Sequence, residues 1–157
     1  MPNFKTHQYI NYITLIIISI ILYYFHQINY LFPVFIIGYI IGTNYITPDL
    51  DVNSKPSNYK LWYIYKKFSK HRGKTHSLFY GFLLPILYLI IILIAFVYVI
   101  GLVVNDNNLL FKFIENSKEL IYLYYIYIII FFAGLGTANG IHIILDKIVS
   151  KIKKVNI

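Results

Sequence analysis

The sequence predicts an all-α fold, an integral membrane bundle of about four transmembrane helices, and two observations carry that prediction. The 157 residues are 59% hydrophobic and only 13% charged, with a mean hydropathy of +0.65, which lies outside the usual range of soluble globular domains. Four apolar stretches, 9–25, 31–46, 78–104 and 120–145, are long enough to cross or nearly cross a bilayer. Strands of such length would be unusual, and a membrane barrel would alternate polar and apolar residues. No internal repeat or linker divides the chain, so residues 1–157 read as one membrane-embedded domain.

The first stretch is a short span. Tyr23-Tyr24-Phe25-His26 follows it without a small-residue cleavage site, so the sequence predicts a retained helix rather than a signal peptide. The second is also short. Pro48 disfavours helical geometry at Thr47, so this span is expected to end there and continue extended, with Asp49 and Asp51 pointing the same way. A basic loop, 48–77, comes next. Within it Leu61, Ile64, Tyr65 and Phe68 fall on one face of a short helix and Lys60, Lys66 and Lys67 on the other. That pattern predicts an interfacial helix on anionic lipid headgroups, with Trp62 and Tyr63 at headgroup level. The stretches 78–104 and 120–145 are comfortable spans separated by a loop, 105–119.

Charge placement sets the orientation. With four spans, twelve of the fourteen Lys and Arg residues fall on the side that holds both termini and the basic loop, and only Lys112 and Lys118 fall on the other. The positive-inside rule therefore places both termini in the cytoplasm of a bacterial inner membrane, a plastid membrane being the alternative. The formal net charge of +8 is explained by this orientation, and no nucleic-acid motif accompanies it.

The same topology gathers ionisable side chains. His7 precedes the first span, Asp49 and Asp51 follow the second, His71 and His76 precede the third, and His142 and Asp146 end the fourth. All seven are expected at the cytoplasmic face, whereas His26 is expected opposite and is left out. Imidazole with carboxylate is the ligand set of zinc, manganese or iron. Cysteine is absent, which removes thiolate ligands. Taken alone, the aspartates read as a solvated turn and His142 with Asp146 as polarity at a helix end; their convergence favours a metal site. Asp49-x-Asp51-x-Asn53 opens like a calcium loop, but Ser54 stands where that loop needs glycine and Lys60 where it needs glutamate. His142 and Asp146 lie four residues apart on one helical face, which Asn139 joins. Gly136 and Gly140 form a small step that would admit a neighbouring helix, and His76 falls in the first turn of the third span, where the helix dipole favours neutral imidazole.

The Pro48-Asp49-Leu50-Asp51 turn, the basic stretch, and His71-Arg72-Gly73 with Thr75-His76-Ser77, all between apolar spans, resemble a bacterial family of uncharacterised membrane metal-binding proteins. That family is similar to the membrane-bound metal-dependent hydrolases. The resemblance covers most of the chain, with His7 near the start and His142 with Asp146 near the end. It implies metal binding and hydrolysis.

The expected chemistry is hydrolysis of a phosphoester, such as a lipid headgroup, by water activated at a divalent ion. Asp49, Asp51, His71 and His76 are expected to hold one ion; His7, His142 and Asp146 complete its shell or hold a second. Arg72 and Lys74 are placed to meet an anionic group. The alternative is non-catalytic: a structural metal clip, or a protein that senses or passes metal. The oligomeric state is left open.

Overall fold

The computed structural model describes residues 4–25, 28–51, 60–68, 80–106 and 108–155. Among the described residues every regular element is helical. In chain order these are α1 (Phe4–Tyr24), α2 (Phe32–Asn44), a 3-10 turn (Pro48–Asp51), a second 3-10 turn (Lys60–Trp62), α3 (Tyr63–Phe68), α4 (Tyr80–Val103) and α5 (Leu109–Val155).

Three of these helices are long and apolar enough to cross a membrane, over Lys5–Tyr24, Leu83–Val103 and Leu109–Ile152, which is compatible with membrane insertion. α2 is not among them. Its 13 residues cover about 20 Å, short of the about 30 Å of a hydrocarbon core. Proline at its start and the break before Pro48 set both limits: the Tyr45 and Ile46 N–H groups close back onto the Ile41 carbonyl, and the helix stops.

α5 differs most from expectation. The segment 105–119, expected as a loop, is helical from Leu109 onward, and α5 is two helical segments, 47 residues in all, that meet at a kink where Tyr124 has non-helical torsions (φ −113°, ψ 18°). Asp106 starts it. Its Oδ1 accepts from the Asn108 N–H at 3.0 Å, its Oδ2 accepts from Lys112 Nζ at 2.8 Å, and its carbonyl accepts from the Leu109 N–H. The Lys112 ammonium, with the Asn108 backbone N–H, holds the Asp106 carboxyl below its usual range. Lys112, Glu115 and Lys118 then recur at helical spacing among apolar residues, with no proline to stop the helix.

Asn11, on α1, donates through Nδ2 to Thr43 Oγ1 on α2 and to the Ala138 carbonyl on α5, and Tyr39 OH returns a hydrogen bond to the Asn11 carbonyl at 2.9 Å. Gln8 Nε2 donates to Asn44 Oδ1 at 2.7 Å, so the start of α1 lies beside the end of α2 and the two run antiparallel. Thr14 and Ser19, polar within the first apolar stretch, bond to carbonyls of their own helix.

α2 and α5 pack backbone to backbone. A Cβ at Gly38 would overlap the Phe131 carbonyl oxygen, and one at Gly134 would overlap the Phe35 carbonyl oxygen. At Gly42 it would sit 2.9 Å from the Leu135 oxygen and 3.1 Å from Ala138 Cβ. The small residues in this contact are therefore Gly38-x-x-x-Gly42 and Gly134-x-x-x-Ala138, not the step at Gly136 and Gly140.

The loop elements pack onto this pair through Ile46, Leu50, Trp62, Tyr65 and Leu135. Trp62 is 3% exposed and meets Tyr65 and Tyr88, while Tyr88 OH bonds the Leu61 carbonyl at 2.8 Å. The short helix thus differs from the expected amphipathic one. Trp62, in the turn before it, and Tyr65 form the buried side of this segment, because an indole and a phenol fill the space against α4. Leu61, Tyr63 and Ile64 are exposed alongside Lys60 and Lys67. Trp62→Ala is expected to cost about 3–5 kcal/mol and Tyr63→Ala less than about 0.5 kcal/mol. Thermal unfolding in detergent reads the difference, and equal effects would mean that Trp62 is no core residue.

Candidate metal centre

Three distant segments meet at one end of the bundle. α1 brings His7, one turn before Asn11 on the same buried face, both 2% exposed. The turn after α2 brings Asp49: Leu50, fully buried, fixes that turn, and the Leu50 N–H bonds the Thr47 carbonyl. The turn is 3-10, not extended as expected. α5 brings Asn139, His142 and Asp146, at 1%, 2% and 6% exposure, on the single face that their spacing predicts.

The two imidazoles stack, their centroids 3.7 Å apart and their planes inclined by 13°. Carboxylates flank both. His7 Nε2 lies 3.2 Å from Asp146 Oδ1; His142 Nε2 lies 3.4 Å from Asp49 Oδ2 and 3.8 Å from Asp146 Oδ2. Among the described residues His142 Nε2 is buried and makes no hydrogen bond, even with carboxylates this near, and His7 Nδ1 is likewise buried without one. Donors that share a divalent ion at about 2.0–2.2 Å sit about 3.0–3.5 Å apart and aim at the ion rather than at each other. The shorter two of these separations match that edge length, and one donor atom each from His7, Asp49 and His142 lie within 4.8 Å of one another. The residues present fit a divalent metal ion.

Beside this cluster Asn11 Oδ1, Thr47 Oγ1 and both amide atoms of Asn139 are buried without a hydrogen-bond partner among the described residues. Each such group costs about 1–3 kcal/mol unless an ion or ordered water satisfies it. Asn11 and Thr47 were not singled out by the sequence reading. The available signal was an asparagine one turn after His7 inside an apolar run, where an amide needs a partner.

Of the seven expected ligands, His7, Asp49, His142 and Asp146 come together. The side chain of Asp51 lies outside the described residues, as do His71 and His76 and the two cations Arg72 and Lys74.

A helical chain with helices long and apolar enough to cross a membrane, and two buried imidazoles beside the half-buried Asp49 at one end, defines the class: an all-α protein with a candidate metal centre. The chain belongs to the family described as "Uncharacterized metal-binding protein (DUF2227)", whose model matches residues 2–156. A protein of Aquifex aeolicus (strain VF5), described as an uncharacterized protein, is 48% identical over 59 residues, which are 34% of this chain and 42% of that protein. The match thus spans less than half of that relative. No solved structure matches significantly. The metal-binding role has the family's support, and no similarity to membrane-bound hydrolases emerges from these comparisons.

Proposed function

We propose that this protein is a membrane-embedded, metal-dependent hydrolase of phosphoesters, working where its helix ends meet the cytoplasmic surface. The observation that carries the reading is the buried pair of stacked imidazoles with a carboxylate against each. His7, Asp49, His142 and Asp146 hold the ion, and Asp51, His71 and His76 of the basic loop add to its shell. A divalent ion, zinc or manganese before iron, supplies Lewis acidity toward a phosphoryl oxygen. Arg72 and Lys74 bind the anionic group, and the stem of Leu50 keeps Asp49 in place. α2 crosses with the other three helices as a short fourth span, the bilayer thinning locally to meet it. The exposed Leu61, Tyr63 and Ile64, flanked by Lys60 and Lys67, rest on anionic headgroups and bring lipid phosphate to the loop.

The test is turnover of phosphomonoester and phospholipid substrates in mixed micelles with added zinc or manganese. Wild type is expected to hydrolyse at least one class, and His142→Ala to lose about 100-fold or more, as variants at metal ligands and their supports do. Metal-replete protein without turnover favours the second reading, a structural clip. That reading has its own support, since the centre ties together three segments far apart in sequence.

A further inference from the structure

Two ions, rather than one, suit the ring geometry. A metal binds imidazole along the lone pair, which lies in the ring plane. Rings stacked at 3.7 Å and inclined by only 13° have planes that do not meet within coordination distance, so a single ion cannot lie on both lone pairs unless one ring swings away. The carboxylates divide in the same manner. Asp49 Oδ2 stands 3.4 Å from His142 Nε2, whereas Asp146 sends Oδ1 toward His7 at 3.2 Å and Oδ2 toward His142 at 3.8 Å. One carboxylate thus offers a separate oxygen to each ring.

From this arrangement we infer that the centre is binuclear and that Asp146 is its bridging ligand: one ion on His7 and Asp146 Oδ1, the other on His142, Asp49 and Asp146 Oδ2. The spacing of the stacked rings agrees with the about 3.5–4 Å between ions in two-metal hydrolytic and phosphoryl-transfer sites. Carboxylates bridge hard divalent ions readily because each oxygen donates independently. The buried position of Asp146, at 6% exposure one turn beyond His142, keeps the bridge from water. The inference rests on the metal-binding reading and deepens it: a centre of this kind takes a phosphate-type anion that spans both ions.

Manganese tests it directly. Detergent-purified protein, stripped with a chelator, is equilibrated with Mn(II) and, in parallel, Zn(II); bound metal per chain is measured by elemental analysis, and the Mn sample by electron paramagnetic resonance. Saturation at two ions per chain is expected, with the six-line spectrum of isolated Mn(II) replaced by the broad signal of an exchange-coupled pair. Asp146→Ala is expected to fall to one ion or fewer and to show only the uncoupled spectrum. Saturation of wild type at one ion, or two ions without coupling, overturns the binuclear centre and leaves metal binding standing. No binding of either metal overturns metal binding itself. Should Asp146→Ala fail to fold, the wild-type stoichiometry and spectrum decide the matter alone.

Discussion

Replacing Gly38 by Ala is expected to remove about 3 kcal/mol or more of stability, at or above the upper end of overpacking costs. One methyl group does this because its target is rigid. The new Cβ would overlap the Phe131 carbonyl oxygen, which belongs to the backbone of α5 and cannot rotate away as a side chain can. α2 must then move off α5. That displacement reaches the site, because the Pro48–Asp51 turn directly follows α2 and carries Asp49 to His142. Lower thermal stability and weaker metal binding are expected together. Tyr122→Ala, on α5 but 86% exposed, is the control and should shift stability by less than about 0.5 kcal/mol. Calorimetry in detergent decides; a Gly38→Ala protein that melts with wild type would mean that the helices do not approach so closely.

The second large effect is chelation. A metal held at this centre would join α1, the turn after α2, and α5, and any ligand that binds only the folded state stabilises it by mass action. At a free metal concentration about 1,000 times Kd this amounts to about 4 kcal/mol, or a fall in Tm of about 8–16 °C on removal for a chain of this size. Readdition of zinc or manganese should restore it, whereas calcium, which favours all-oxygen shells, should not. An unchanged melting curve after exhaustive chelation would show that the four side chains hold one another without an ion.

Much of the site was legible because its signal lies in topology rather than in local pattern. His7 and His142 are 135 positions apart, yet alternating apolar helices leave few places for ionisable side chains, and the same end of the bundle receives them. The stripe Asn139, His142 and Asp146 follows from helical periodicity alone. The turn at Asp49 was misread because Pro48 forbids helix at Thr47 but not a 3-10 turn after it, and burial of Leu50 selects the turn. Trp62 was misplaced for a related reason: an amphipathic ring suits a headgroup layer and a packed aromatic cluster equally, and only contact with Tyr65 and Tyr88 separates them. Within apolar runs this uniform, hydropathy does not say which face meets a neighbour. The expected small-residue step was placed at Gly136 and Gly140, beside the ligands, whereas the close approach is at Gly38, Gly42 and Gly134, which have the same kind of spacing. The length of α5 escaped because charged residues in 105–119 read as a loop, although their helical spacing was equally visible.

Elemental analysis of detergent-purified protein by plasma mass spectrometry tests the central claim most directly, comparing wild type with an Asp49→Ala/His142→Ala double variant after incubation with zinc, manganese or iron. About one or two divalent ions per chain in wild type, and their loss in a variant that still folds, is the expected result. Wild type that carries no metal under any of these conditions would contradict it, and the stacked histidines with their carboxylates would then be a buried ion-pair network and nothing more.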